Sequence, residues 1–73
     1  MIPYNEEDQR SYYTERCYYI TSLVGLEPQT ITESNYQLVR DAVMVTFNDV
    51  NQRKAVIELG NLLMFSVVFG YGA

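Results

Sequence analysis

The stretch SYYTERCYYITSLVG, Ser11 to Gly25, has the Tyr, Thr and Ile content of a strand. A half-buried strand alternates strictly, however, and here the tyrosines come in adjacent pairs, Tyr12–Tyr13 and Tyr18–Tyr19. Tyr13, Cys17, Ile20 and Val24 recur instead at i, i+4, i+7 and i+11, one face of a helix, with Tyr12, Tyr19 and Leu23 widening it. On the N-terminal side, Asn5 supplies an N-cap, and Glu6, Glu7 and Asp8 place three acids against the positive end of the helix dipole. Pro3 ends the extended segment before them, and residues 1–5 are expected to form a flexible tail. On the other side, Gly25 is the residue that a left-handed helix terminus favours.

Leu26 to Gln29, containing Pro28, reads as a short connection. Thr30 and Glu33 match a T-x-x-E capping box; with Thr32 as the cap instead, Ile31 and Tyr36 form a hydrophobic staple. Both readings start a second helix at nearly the same place. Val39, Val43, Thr46, Phe47 and Val50 trace its inner face, supported by Tyr36 and Leu38. The β-branched Val43, Val45 and Thr46 weaken this helix slightly, so packing must make up the difference. Asn48 and Asp49 break the pattern, and Asp49 with Gln52 three residues on can cap a third helix.

In that third element Ala55, Val56, Leu59, Leu62, Leu63, Ser66 and Val67 keep helical spacing. Gly60 costs about 1 kcal/mol relative to alanine, a cost that a close crossing or a bend would explain. Asn61 to Ala73 carries no charge, and Leu62, Leu63, Met64, Phe65, Val67, Val68 and Phe69 cover every direction of a helix. A segment that is apolar all round is expected to be buried all round. Phe65, Val67 and Phe69 would equally line one side of a short strand. The expected fold is mainly α, a compact three-helix single domain over residues 1–73. The third helix runs to about Ser66, and the rest of the C-terminal segment stays open between helix and extended chain.

A chain of 73 residues buries only about 60 % of the surface its unfolded form exposes, so one small core must suffice. Small domains usually add disulfides, a metal or a second subunit. Cys17 is the one cysteine and there is no histidine, so an internal disulfide and a zinc site are both excluded. Good helix packing or association remains, and an apolar content of 48 % favours both. No secretory signal is read in the acidic opening, and a single free cysteine fits a reducing cytoplasm.

Chemistry has few places to sit. Histidine, the commonest general acid and base, is missing. Capping explains the carboxylates of Glu6, Glu7 and Asp8, and Cys17 lies on the apolar stripe with nothing to activate it. No enzyme activity and no cofactor are expected. The net charge of −4 falls entirely in residues 1–36, whereas 37–73 are balanced. A phosphate-backbone binder needs clustered Lys and Arg, so direct nucleic-acid binding is not expected. An acidic patch can meet a basic groove on a protein, or serve solubility alone.

The candidate contact residues are therefore Tyr4, Glu6, Glu7, Asp8 and Tyr18, with Arg53 and Lys54 as the basic doublet. Seven tyrosines fit this reading, because tyrosine buries a large area with few rotamers and keeps a polar tip. Tyr18 falls on the polar face beside Ser11 and Ser22. The C-terminal run reads as a core helix, as the seam of a weak homo-oligomer, or as a membrane segment. The last needs about 20 mostly apolar residues and the run falls short of that, so no membrane is expected.

In overall character the chain resembles phage-encoded regulators of host RNA polymerase. Its length, the opening Met1-Ile2-Pro3-Tyr4-Asn5, the acidic first helix and the lack of any site motif carry the resemblance. Other small phage inhibitors, including those aimed at CRISPR complexes, have the same character. The resemblance implies a host-takeover protein in the host cytoplasm that inhibits or alters transcription through protein contacts, with no catalysis. The alternative is a small structural or assembly subunit that self-associates through its apolar C-terminal segment.

Overall fold

The paired tyrosines sort onto different sides of one helix. In the computed structural model, which describes residues 6–71 and all their side chains except that of Glu6, α1 spans Glu6–Leu23. Tyr13, Cys17 and Ile20 are buried on its inner side, while Tyr12, Tyr18, Tyr19 and Leu23 are about half exposed. The proposed cap Asn5 lies outside the described residues. Gly25 ends the helix as expected, at φ +86°. Its N–H donates to the Ser22 carbonyl at 3.1 Å and the Leu26 N–H to the Thr21 carbonyl at 2.9 Å, the paired bonds of a Schellman terminus.

The connection that follows is longer than the sequence suggests. It runs from residue 24 to 35, and α2 spans Tyr36–Thr46 with Asn35 at its N-cap position. The Thr30–Glu33 capping box does not form, and Thr32, whose Oγ1 accepts from the Ser34 N–H at 3.2 Å, caps a turn ahead of α2 rather than the helix itself. The Asn35 side chain pre-empts both helix caps by turning back into the connection. Its Oδ1 accepts from the Thr32 N–H at 2.8 Å, and its Nδ2 donates to the Thr30 carbonyl at 2.7 Å and to Gln29 Oε1 at 2.9 Å. Held this way, the connection delivers Ile31 into the core, fully buried. A buried loop backbone needs partners. The Tyr13 hydroxyl donates to the Ile31 carbonyl, and the Ile31 N–H donates to Cys17 Sγ at 3.4 Å.

Only Val39 and Val43 of α2 are buried; Thr46 is exposed, and Val50 belongs to the next helix and is exposed too. Two residues, Phe47 and Asn48, separate α2 from α3, which spans Asp49–Phe69. Asn48 rather than Asp49 holds the N-cap position, and Asp49 turns the corner at φ +50°. Gln52 does not close a capping box. Its amide donates to the carbonyls of Met44 and Phe47 at 3.1 and 3.0 Å, supplying donors at the C-terminus of α2.

Helix α3 continues past Ser66 to Phe69 and is stopped by Gly70 at φ +73°, so residues 67–69 of the segment left open are helix, while 72–73 lie outside the described residues. No strand occurs among the described residues. A Cβ on Gly60 would meet nothing within 4 Å, so no close crossing requires that glycine. Leu59, Leu62 and Ser66 face the core beside Tyr13, Cys17, Ile20, Ile31, Val39 and Val43. Tyr71 closes it from below. It is buried, its ring lies 5.3 Å from that of Tyr13 at a tilt of 35°, and its carbonyl accepts from Ser66 Oγ at 2.6 Å.

Candidate functional site

The expectation that the uncharged run would be buried all round fails. Met64, Val67 and Val68 are 57–64 % exposed, on sides of α3 turned away from Leu59 and Leu62, and Ile57, one turn before the run, is equally exposed. The reason is geometric: a three-helix domain of this size has one core, and α3, although it packs against both α1 and α2, turns only one side to it. Beside the exposed stripe, α1 and α3 frame an open groove of about 630 Å³. Its walls are Tyr12 from α1 and Ile57, Asn61, Met64, Phe65 and Val68 from α3, with Lys54 and Glu58 at one end.

A polar contact joins α1 to α3 at the Glu58 end of this groove. Arg16 Nε donates to Glu58 Oε2 at 2.6 Å, and the same guanidinium lies 4.6 Å from the centroid of the Tyr19 ring. Hydrogen bonding to Glu58 holds the Arg16 pKa above its ordinary value. Further along, aromatic rings line up: Tyr12 with Phe65 at 6.3 Å, Phe65 with Phe69 at 5.6 Å and Phe69 with Tyr71 at 5.4 Å. Arg10 sits 5.4 Å above the Tyr71 ring. Both arginines of α1 are thus turned toward aromatic rings and α3. The opposite stripe of α1 shows Glu7, Ser11, Glu15, Tyr18 and Ser22, all exposed and without a cation among them.

The expected contact residues do not converge. Tyr4 and the side chain of Glu6 lie outside the described part. Glu7 and Asp8 are exposed in the first turn of α1, and Tyr18 is exposed three turns further along. The basic doublet is split by the helix. Lys54 borders the groove, whereas Arg53 joins Arg40, Met44, Asp49 and Gln52 around a second hollow of about 440 Å³. Sequence reading missed the groove residues Tyr12, Ile57, Met64 and Val68 as a surface. For Ile57, Met64 and Val68 the signal was present as a second apolar stripe on α3, half a turn from Leu59 and Ser66, and an all-round apolar composition hid it.

Cys17 is fully buried, and burial pushes its thiol pKa up, with the Ile31 N–H bond opposing that rise. It therefore stays a protonated thiol, the inert form. Among the described residues no three His, Cys, Asp or Glu side chains cluster where a metal ion could bind. Nor is any helix among them long and apolar enough to cross a membrane. No protein-family model matches the chain, and comparison with curated proteins and with solved structures returns no match.

Proposed function

We propose that this chain is a small phage-type regulator that works by non-covalent contact with a large host protein complex, RNA polymerase in the first place, in the host cytoplasm. The observation that carries the reading is the uncovered apolar stripe of α3 and the groove beside it. A soluble monomer rarely leaves a contiguous apolar patch of more than a few hundred Å² unless something binds there. The acidic stripe of α1 supports a basic partner surface, since its arginines are occupied elsewhere. The partner itself comes from the resemblance in size, acidity and absence of a site motif. Inhibition would then be steric, by occupation of a surface that the transcription machinery needs.

The test is direct. Purified bacterial polymerase holoenzyme is titrated against the immobilised chain at two salt concentrations, and promoter-dependent transcription is read in parallel. Saturable binding that weakens with salt, together with loss of transcript, is the expected result. Replacing Glu6, Glu7 and Asp8 with their amides should slow association more than dissociation, because rim charges act on encounter. Absence of binding at micromolar concentration would overturn the polymerase reading. A second reading, self-assembly through the C-terminal helix, is favoured by the spacing of the exposed residues along α3.

A further inference from the structure

The outward side of α3 has a period. Val50, Lys54, Ile57, Asn61, Met64 and Val68 are spaced 4, 3, 4, 3 and 4 residues apart, and all six are exposed. This is the 3.5-residue repeat with which one helix packs along another. The six lie opposite Leu59, Leu62 and Ser66, so the domain's own core makes no use of them. We propose that this face of α3 closes on the same face of a second copy, antiparallel, about a two-fold axis at Asn61. The inference rests on the reading that the chain works by contact, and it names the first occupant of the contact face.

Three observations select a second copy, and the second of them selects its orientation. The first is Asn61, a polar residue in the middle of an otherwise largely apolar seam. A two-fold axis there sets the amide against its own copy, and each amide has both the donor and the acceptor the other needs. A buried asparagine in a helical seam fixes register and partner number.

The second is charge. The last turn of α3 contains no basic residue, and a cation is favourable beside the C-terminal end of a helix. Lys54 lies seven residues before the axis and Val68 seven after, each about 10 Å along the helix. Antiparallel pairing therefore carries each Lys54 to the C-terminal turn of the other copy. A parallel pair would bring Lys54 against Lys54.

The third is area. Tyr12, Val50, Ile57, Met64 and Val68 keep 54–64 % of their surface open. Together they offer on the order of 500 Å² of mostly apolar surface, and Lys54, Asn61 and Phe65 extend it toward the roughly 800 Å² per partner of a standard interface.

The experiment uses the full chain. Sedimentation velocity over a range of concentrations should show a monomer–dimer equilibrium. Met64→Glu should shift it at least tenfold toward monomer while the helical circular dichroism stays unchanged. Orientation is read independently by oxidative cross-linking of single-cysteine variants, with Cys17 buried and out of reach. Asn61→Cys should cross-link to itself. Lys54→Cys should cross-link to Val68→Cys when the two are mixed, and far less to itself. A wild-type chain that stays monomeric to millimolar concentration overturns the inference, and strong Lys54→Cys self-linking overturns the antiparallel axis. If such a monomer still binds polymerase, the contact reading survives and this occupant fails. A dimer that does not bind polymerase supports this occupant and overturns the polymerase reading instead.

Discussion

Helices α1 and α3 are the two long elements, and they treat their outward sides in opposite ways. Each buries a narrow stripe in the shared core: Tyr13, Cys17 and Ile20 on one, Leu59, Leu62 and Ser66 on the other. Behind its stripe α1 shows Glu7, Glu15 and Tyr18, an outside suited to water. Behind its own, α3 shows Ile57, Met64 and Val68. Folding of one chain explains the two buried stripes and leaves the apolar outside of α3 unexplained. An apolar side chain held in water costs solubility and brings no stability to the monomer, so the outside of α3 points to association.

The largest expected effect sets the two sides of α3 against each other. Leu59→Ala removes a fully buried side chain and should cost about 2–5 kcal/mol, much of the stability of so small a domain. Ile57→Ala, two residues away, should change the monomer by no more than about 0.5 kcal/mol, the usual range for exposed positions. Urea unfolding at low protein concentration measures both. Equal costs would mean that Ile57 is buried within one chain, and the contrast would collapse.

On α1 the same contrast is polar. Tyr13→Phe leaves the Ile31 carbonyl buried without its donor, at a cost of about 1–3 kcal/mol. Tyr18→Phe, on the exposed side, should leave the melting temperature unchanged. A Tyr13→Phe protein as stable as the parent would show that water or another donor replaces the phenol, and that the connection is looser than its bonds imply.

These contrasts also explain what the sequence made legible. On α1 the charges of Glu7, Asp8 and Glu15 mark the outside, so the period of Tyr13, Cys17 and Ile20 points inward without ambiguity. On α3 no charge follows Glu58, and two opposed apolar stripes merge into one apolar composition. The three-helix fold could be read, while the groove and its lining could not. The connection departs from its local pattern for another reason. Thr30, Thr32 and Glu33 satisfy local capping rules, but the Asn35 side chain competes for the same loop groups, and that competition depends on where Ile31 is buried. Tyr71 was equally hidden, because an aromatic residue beyond a helix-ending glycine belongs to no periodic pattern.

The pH dependence follows from the buried side of α1. Burial raises the thiol of Cys17 and the phenol of Tyr13 above their ordinary values of 9.0 and 10.0. In that range the unfolded chain ionises first and binds fewer protons than the folded one. Stability is therefore whole below about pH 9 and falls as pH rises through the thiol and then the phenol range. Thermal unfolding from pH 7 to 11 checks the direction. Cys17→Ser should remove the first part of the fall, and stability rising over that interval would contradict the buried placement of both groups.

The smallest effect belongs to the Arg16–Glu58 pair, which ties the outside of one helix to the other. Its bond is 2.6 Å long, but the two side chains remain 36 % and 29 % exposed. Water screens such a pair, and double-mutant cycles on pairs of this kind give about 0.2–1 kcal/mol. Arg16→Gln and Glu58→Gln, singly and together, should therefore couple by less than about 1 kcal/mol in the monomer, and by less again at high salt. Glu58 also borders the groove between α1 and α3. A second copy seated along α3 would exclude water from that end, and the coupling should then strengthen and resist salt as protein concentration rises. A coupling energy independent of concentration would leave Glu58 open to water in every state of the protein, and would confine any contact to the far end of the helix, around Met64 and Val68.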